Sequence, residues 1–278
     1  MPMKLRVFYS PKEGYTALIR RGKTGMQHLE FGILQLSPFQ NYRARTGEDE
    51  ILLVILGGMA HLEARGQKWE FLGRRKNVFD GPATAAYLPR GCAFKLTAIG
   101  EVEIALCRAR SDEDREPYII PAEEVKVSQR GEVGFQREIH DILTPERPAS
   151  RLIVGETYNA PGQWSSYPPH KHDQERPPLE TQLEEIYLYR FDPPQGFGLQ
   201  RIYTPEGGLD EALVVRDNLV VGLPGGYHPV VAAPGYRLYY LWLLGGRSRQ
   251  LIQYDDPDHA WVKTQGQPQP AEELREKR

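Results

Sequence analysis

The sequence contains very little cysteine. Its 278 residues include only Cys92 and Cys107, which do not form a CxxC motif. Small secreted domains held by disulfides carry more cysteine, whereas a chain of this length can bury a full hydrophobic core without cross-links. We therefore interpret both residues as reduced, buried thiols of a cytoplasmic protein.

Signals for membranes, secretion, nucleic acids and nucleotides are also missing. No apolar run approaches the ~20 residues of a membrane-spanning helix, and residues 1–10 lack the apolar core of a secretory signal. The net charge is -2, and Lys and Arg do not cluster into a basic stripe. No glycine-rich loop joins a strand to a helix, so we expect no nucleotide cofactor. We expect neither a membrane nor a nucleic-acid partner.

The residues that are abundant favour short strands. The 27 glycines and 23 prolines are scattered along the chain, and 15 tyrosines accompany them. Turn formers between short apolar runs are typical of strands joined by tight turns, and tyrosine is enriched in strands. The hydrophobic content of 40% and charged content of 26% are those of a globular protein. We predict an all-β protein of one large or two ordinary domains.

The apolar runs form two series separated by a charged break at residues 111–116 and by residues 121–127, which are predicted as a short helix or linker. The predicted strands are residues 31–36, 50–64 (two strands), 85–89, 93–99, 102–109, 134–143, 151–158, 185–191, 197–203, 212–216, 219–224, 228–233 and 236–244. We predict a first domain over residues 1–125, a second over 126–262 and a tail over 263–278.

The two series resemble each other. Glu50 begins EILLVI and Glu185 begins EIYLYR, and in both cases an LP dipeptide follows 38 residues later, at Leu88 and Leu223. Continuing in this register sets Ala93 against His228. These matches indicate a duplicated β-domain whose first copy lacks the histidines that the second carries at positions 170, 172 and 228.

A group of metal-ligand residues lies in the second series. His170 and His172 form an H-x-H pair, which projects to one face of an extended chain. Glu185 opens an aromatic strand, and His228 precedes a later strand. Imidazoles and a carboxylate on neighbouring strands form a common set of ligands for divalent metals. We predict one metal site, in the second domain only.

Three motifs in this half resemble the 5-deoxy-glucuronate isomerases of bacterial inositol catabolism and the related 4-deoxy-threo-hexosulose-uronate ketol-isomerases. They are NAPGQWSSYPPHKHD, LEEIYLYRFDPPQGFGLQRIYT and GGYHPVVAAPGYRLYYLWLLGG. The resemblance implies a bicupin, with two antiparallel jelly-roll-like β-barrels in one chain. The cupin pattern usually places a glutamate a few residues after H-x-H, so Glu175 and Glu184 are alternatives to Glu185.

The resemblance also implies a reaction. It is the metal-dependent conversion of 5-deoxy-glucuronate, an aldose acid, to its ketose form, 5-dehydro-2-deoxy-gluconate. The implied ligands are His170, His172, Glu185 and His228. The resemblance favours Zn as the metal, with Mn, Fe or Ni as alternatives. A divalent ion would stabilise the ene-diolate that forms when the proton next to the carbonyl leaves.

The remaining site residues are candidates only. Tyr187 shares strand parity with Glu185, and Lys171 and Arg201 carry charges that can bind the substrate carboxylate. The sequence does not identify the catalytic base, and it leaves a homo-oligomer open. Two other functions are compatible with such a site: a cupin dioxygenase, and a cupin that binds a sugar acid without turnover.

Overall fold

Strands account for nearly all of the regular structure. The computed structural model describes residues 6–23 and 25–264. The first half contains β1 (Arg6–Phe8), β2 (Gly14–Ile19), β3 (Leu29–Leu36), β4 (Asn41–Arg45), β5 (Asp49–Gly57), β6 (Ala60–Ala64), β7 (Gln67–Leu72), β8 (Ala85–Leu88), β9 (Ala93–Ala98), β10 (Val102–Arg110), β11 (Tyr118–Ile120) and the 3-10 helix η1 (Ala122–Glu124). The second half contains β12 (Lys126–Arg130), β13 (Arg137–Leu143), β14 (Ile153–Asn159), β15 (Trp164–Ser165), β16 (His170–Lys171), β17 (Leu183–Asp192), β18 (Phe197–Tyr203), β19 (Asp210–Arg216), β20 (Leu219–Leu223), β21 (Val230–Ala232), β22 (Arg237–Gly246), β23 (Tyr254–Asp255) and the 3-10 helix η2 (Ala260–Thr264).

The strands form two sandwiches of antiparallel sheets. In the first, the six-stranded sheet β11-β8-β5-β10-β3-β2 faces the four-stranded sheet β4-β9-β6-β7. In the second, the seven-stranded sheet β1-β20-β17-β22-β14-β13-β12 faces the sheet β15-β21-β18-β19. A short ladder, β16-β23, lies beside it. The predicted all-β, jelly-roll-like fold is confirmed, although hydrogen bonds do not close either sandwich into a barrel.

The strand order repeats between the two halves. The succession β8-β5-β10-β3-β2 in the first large sheet corresponds to β20-β17-β22-β14-β13 in the second. The small sheets correspond in the same way, with β4-β9-β6-β7 matching β15-β21-β18-β19. This shared topology supports the duplication that the sequence repeat indicated.

The two large sheets pack face to face, and this interface is the largest core. Along β5, Leu52 and Val54 face the interface, whereas Leu53 faces the interior of the first sandwich. Along β17, Ile186 and neighbouring even-numbered residues face the interface, and odd-numbered residues face the second sandwich. Because both faces are covered, the middle of each strand is a continuous run of aliphatic and aromatic residues, without alternating polar ones.

Two buried glutamates connect the halves reciprocally. The Glu50 carboxylate accepts hydrogen bonds of 2.6–2.8 Å from the backbone N–H groups of residues 150–152, which lead into β14. The Glu184 carboxylate accepts bonds of 2.5–3.3 Å from the N–H groups of residues 27–29, which lead into β3. Each half therefore supplies a carboxylate that satisfies buried donors of the other half.

These bonds correct the register of the sequence repeat. Glu50 is the counterpart of Glu184, not of Glu185 as the repeat predicted. Ile51 is the counterpart of Glu185, since each lies opposite the leucine that ends the neighbouring strand. The repeat aligned two Glu-Ile dipeptides, but the face that a residue occupies depends on strand pairing, and a shift of one residue changes the face.

The predicted match between Ala93 and His228 is likewise wrong, because the two side chains do not point to equivalent sides of their sandwiches. Ala93 begins β9 with an exposed side chain, whereas Cys92 and Phe94 are buried in the core of the first sandwich. His228 is buried. The interior of the first sandwich is apolar where the second carries its imidazoles.

All of the predicted strands are present, and the structure adds several more. The additional strands are β1, β2, β4, β7, β11, β12, β15, β16 and β23. Most are short or lie at sheet edges, and β4 buries no residue, so their apolar pattern is weak. The 3-10 helix η1 lies within the predicted helix or linker at residues 121–127.

The domain boundaries at residues 125 and 262 stay predictions. Residues 6–8 pair with β20, so the first predicted domain contributes an edge strand to the sheet of the second. The predicted tail at 263–278 lies outside the described residues, apart from the end of η2. Both cysteines are free and buried, as predicted. Within the described part of the chain, no helix has the length and apolar content needed to cross a membrane.

A buried ion pair also joins the two sandwiches. The Arg75 guanidinium donates two hydrogen bonds, of 2.6 and 3.1 Å, to the Glu156 carboxylate. The Tyr239 hydroxyl donates a third, of 2.8 Å. Burial by itself raises the pKa of Glu156, but the Arg75 charge and these hydrogen bonds outweigh it and lower the pKa to about 2.

Removal of one of the two reciprocal glutamates should lower the stability of the protein. In Glu184→Ala, three N–H groups lose a charged acceptor, so we expect the free energy of unfolding to fall by about 3 kcal/mol. Urea denaturation followed by circular dichroism measures this change. Glu206→Ala, at an exposed turn, is the control and should shift stability by less than about 0.5 kcal/mol. A Glu184→Ala protein as stable as this control would contradict the assignment.

The lowered pKa of Glu156 predicts that the free energy of unfolding depends on pH. Its folded-state pKa lies below the ordinary value, so its contribution to stability is present at pH 7 and is lost as pH falls from about 5 toward 2. Wild type should be more stable than Glu156→Gln at pH 7, and the difference should shrink by on the order of 2 kcal/mol by pH 2. Urea denaturation at several pH values tests this. A difference that stays constant or grows on acidification would refute it.

Candidate metal centre

The candidate ligands come from three segments of the second sandwich. His170 lies in β16 and His172 follows it, Glu185 lies near the start of β17, and His228 lies in the connection between β20 and β21. The hydrogen bond from Leu183 N to His172 O, 2.8 Å long, brings the start of β17 next to the H-x-H segment. The long insertion between His172 and Glu185 therefore does not separate them in space.

The insertion folds around Glu180. This carboxylate is fully buried and accepts hydrogen bonds from Lys171 Nζ at 2.8 Å, Asp173 N at 2.8 Å and Gln174 N at 3.1 Å. It also accepts one from the Arg176 guanidinium. A buried carboxylate with this many donors fixes the loop and, with it, the position of His172.

Three of the predicted ligands converge. Glu185 Oε2 lies 3.1 Å from His172 Nε2 and 3.2 Å from His228 Nε2. One ligand atom from each of the three residues falls within 4.8 Å of the other two. All three side chains are buried. This spacing is suited to donors that surround a single ion.

The other ring nitrogens fix the orientation of the imidazoles. His172 Nδ1 lies 2.9 Å from Leu183 O, and His228 Nδ1 lies 2.8 Å from Gly226 O. A carbonyl can only accept a hydrogen bond, so each Nδ1 carries the proton. In the neutral rings Nε2 then presents its lone pair toward Glu185, as a metal ligand requires.

His170 lies beside this trio. Its ring centroid is 5.2 Å from that of His228 and 6.3 Å from that of His172, and its Nε2 lies 3.0 Å from Gln253 Nε2. The structure thus brings His170 to the same centre but directs its Nε2 toward Gln253. It is the one member of the predicted set outside the three-residue cluster.

The cluster favours an ionised carboxylate, and it shifts the pKa values of His170 and His172 in opposite directions. Burial raises the pKa of Glu185, but the neighbouring His172 and His228 outweigh burial and lower it to about 2. Burial, together with His228 and His172, lowers the pKa of His170 well below its usual value. For His172, burial lowers the pKa but the bond to Glu185 outweighs it and raises the value.

A cavity of about 630 Å³ opens onto the cluster. Its lining includes His170 and Glu185 from the candidate ligands, together with Tyr187, Tyr240 and Trp242. The remaining lining residues that bear on the chemistry are Ser166, Thr157, Gln253, Arg137, Arg130, Lys126 and Arg147. The volume is that of a typical site for a small molecule.

Tyr187 is the predicted substrate-binding residue that lies in this cavity. It shares the inward face of β17 with Glu185, as strand parity predicted. Its hydroxyl lies 3.2 Å from Ser166 Oγ. Burial and the nearby Glu185 charge raise the pKa of Tyr187 well above the usual value, so the hydroxyl keeps its proton at neutral pH.

Lys171 and Arg201 are the two predicted carboxylate-binding candidates. Both form ion pairs with carboxylates of the chain itself. Lys171 points away from the two histidines, as expected for an intervening strand residue, and its ammonium is bound to Asp173 and Glu180. Arg201 lies on the exposed face of β18, with two 2.8 Å hydrogen bonds to Asp210. Neither residue lines the cavity.

Of the three glutamates considered as ligands, only Glu185 lies with the imidazoles. Glu184 points into the interface between the sandwiches. The Glu175 carboxylate accepts a hydrogen bond of 3.0 Å from Gln182 N at an exposed site. Successive side chains of β17 point to opposite faces of the sheet, so Glu184 and Glu185 have different surroundings. Residue type alone could not show which of the two faces the imidazoles.

The donor set fits a divalent metal. His228 Nε2 is buried and has no well-aligned hydrogen-bond partner, although a carboxylate oxygen lies 3.2 Å away. A buried polar atom without a partner is costly unless something binds it. Imidazole nitrogens with one carboxylate are ligands for Zn, Mn, Fe and Ni. The residues present therefore match the metal that the sequence predicted.

Arg137 and Gln253 were missed at the sequence level. Arg137 begins β13, within a segment predicted only as a strand, and Gln253 precedes the short strand β23. Neither belongs to a motif, and both reach the cavity through the pairing of distant segments. No signal in the sequence distinguishes Arg137 from the other arginines.

Comparisons with known proteins agree with this architecture. A model of the KduI/IolB family matches residues 5–262. The 5-deoxy-glucuronate isomerase of Geobacillus thermodenitrificans (strain NG80-2) is 39% identical over 256 residues, which cover 91% of this chain and 93% of that protein.

Two solved structures resemble the fold. An IolB-like protein from Salmonella typhimurium LT2 has a TM-score of 0.90 at 35% identity, covering 94% of this chain and 99% of the other. The oxalate decarboxylase of Lactobacillus farciminis has a TM-score of 0.62 at 12% identity, covering 99% and 93%, a likeness of fold alone. The match to the family model and the 39% identity over most of the chain establish the relationship: this chain belongs to the KduI/IolB family.

Proposed function

We propose that this chain is a metal-dependent aldose–ketose isomerase that converts 5-deoxy-glucuronate to 5-dehydro-2-deoxy-gluconate in inositol catabolism. The observation that carries the proposal is the buried cluster of His172, Glu185 and His228 beside a cavity of sugar size. Curated relatives at 35–39% identity are 5-deoxy-glucuronate isomerases, which names the substrate.

The metal would be held by His172, Glu185 and His228, with His170 as the fourth ligand after rotation away from Gln253. Zn is the first choice, and Mn, Fe and Ni suit the same donors. When bound, a divalent cation stabilises the negative charge that develops on the two vicinal oxygens of the sugar during isomerisation. One carboxylate and neutral imidazoles leave that centre with a net positive charge.

The chain itself supplies orientation and shielding from water. Tyr240 and Trp242 form a wall beside the cluster, and hydrogen bonds to Ser165 Oγ at 2.9 Å and Thr157 Oγ1 at 3.0 Å fix both rings. Tyr187 places a neutral hydroxyl next to Glu185, where it can donate a hydrogen bond to a substrate oxygen. The two fixed rings and the Tyr187 hydroxyl are therefore in position before the substrate binds.

The proposed function also implies a binding partner and a cellular compartment. A soluble sugar acid would be the partner that the cavity binds. The unpaired, buried Cys92 and Cys107 are consistent with a reducing cytoplasm, where this catabolic step would take place.

Removal of a ligand should remove the metal. Purified His172→Ala and His228→Ala proteins should contain at least tenfold less Zn, Mn, Fe and Ni per chain than wild type, measured by mass spectrometry of the elements. Both should keep a β-type circular dichroism spectrum, because three apolar cores hold the sheets.

His61→Ala is the matched control, since His61 lies in β6 of the first sandwich and should not change metal content. Wild-type metal content in both His172→Ala and His228→Ala would show that these residues do not form the centre.

The reaction can be tested directly. The metal-loaded protein should isomerise 5-deoxy-glucuronate without NAD, ATP or O₂, as followed by proton NMR of substrate and product. A chelator should abolish turnover, and added divalent metal should restore it. In D₂O, deuterium should enter the hydroxymethyl group of the product, whose carbon was C1 of the substrate, if a proton is exchanged with solvent during transfer.

Other outcomes point to other functions. Oxygen uptake with a sugar acid would favour a dioxygenase, and binding of 5-deoxy-glucuronate without turnover would favour a sugar-acid-binding protein. Failure of a folded, fully metallated sample to isomerise this acid rules the proposed activity out.

A further inference from the structure

Four cationic side chains line the cavity beyond the cluster, and they differ in their partners. Arg130 pairs with Asp141 at 3.3 Å, and Arg147 pairs with Glu124 at 3.2 Å. Lys126 is exposed. Arg137 is the fourth, and it is partly buried at the start of β13.

The charge of Arg137 is uncompensated. Its Nη1 donates to the carbonyl of Phe135 at 3.2 Å. Among the residues that the structure describes, no carboxylate lies within 4.0 Å of its guanidinium. Burial lowers the pKa of Arg137, Tyr240 opposes this, and Arg130 lowers it further. A cation that is partly desolvated and lacks a counter-ion is unfavourable unless an anion binds there.

Contacts at the tip of the β12–β13 hairpin place Arg137 near the segment that supplies His170 and His172. Trp164 N donates to Gly134 O at 2.9 Å, and the ring centroids of Phe135 and Tyr167 are 5.7 Å apart. The segment containing Trp164 and Tyr167 continues directly into His170. The hairpin tip is thus docked on the strand segment that supplies the histidines.

The lining of the cavity agrees with this placement. Arg137, His170, Tyr187 and Tyr240 all line it. A sugar acid whose carbonyl end reaches the cluster would therefore have a cation available for its other end.

We propose that Arg137 binds the carboxylate of the substrate and so determines the preference for a sugar acid over a neutral sugar. This inference rests on the proposed isomerase function. The guanidinium presents paired N–H donors that match a carboxylate in bidentate geometry, and the cavity leaves them open. Lys171 and Arg201, the candidates from sequence, are each held by carboxylates of the chain itself.

Kinetics of Arg137→Gln test the assignment. With 5-deoxy-glucuronate, KM should rise about 10- to 100-fold, because a hydrogen-bonded charge pair is lost, and kcat should change less. With the neutral analogue 5-deoxy-glucose, kcat/KM should stay near the wild-type value, so the preference for the acid should collapse. Arg137→Lys keeps the charge without the bidentate geometry and should give an intermediate KM.

The controls separate this role from others. Arg201→Gln, at an exposed ion pair, should keep the wild-type KM within about twofold, since it lies outside the cavity. Metal content of the Arg137 variants should equal that of wild type. If Arg137→Gln does not fold, Arg137→Lys and Arg137→Met supply the same comparison of acid with neutral sugar.

The outcomes for the two proposals are distinct. A wild-type KM and a wild-type preference for the acid in the Arg137 variants overturn the role of Arg137 and leave the isomerase standing. If wild type does not isomerise the acid, calorimetric binding of D-glucuronate against D-glucose still decides the question. Equal affinities for glucuronate in wild type and Arg137→Gln would then refute the carboxylate site.

Discussion

The opposite facing of two adjacent glutamates in β17 is the constraint on which the site depends. Glu184 binds the backbone N–H groups of residues 27–29 in the first sandwich. Glu185 points to the other side of the same sheet, between His172 and His228. Because successive side chains of a strand alternate in direction, the bonds that hold Glu184 also set the register that presents Glu185 to the cavity.

This arrangement explains the contribution of a first sandwich without metal ligands. Its interior is apolar, and Ile51 occupies the position equivalent to Glu185. Its large sheet nevertheless covers the back of the seven-stranded sheet. Segments of the first half also supply partners for Glu184 and Glu156. The second sandwich can therefore keep polar groups in its interior because its strands are fixed from behind by packing against the first sandwich.

Several buried charges among the described residues have partners, whereas the partly buried Arg137 has no carboxylate beside it. Glu156 is paired with Arg75, Glu180 with Lys171, and Glu50 with backbone donors of the other half. Burying a charge without a partner is unfavourable by several kcal/mol, so such pairing is expected. Arg137 lines the cavity, and none of the described carboxylates lies within 4.0 Å of its guanidinium, which is consistent with a ligand that supplies the missing charge.

The sequence by itself determined the all-β class, most of the strands, the duplication and the convergence of His172, Glu185 and His228 on one half of the chain. Apolar runs between turn formers and an H-x-H pair followed by an aromatic strand are local patterns, and local patterns can be read from residue order. The edge strands were missed because they bury little surface. Only the tertiary structure decided the counterpart of Glu50, the separate roles of Glu184 and Glu185, and the place of Arg137 in the cavity. Those features depend on strand register and on hairpins docking across the fold, and both are set by contacts between residues far apart in the chain.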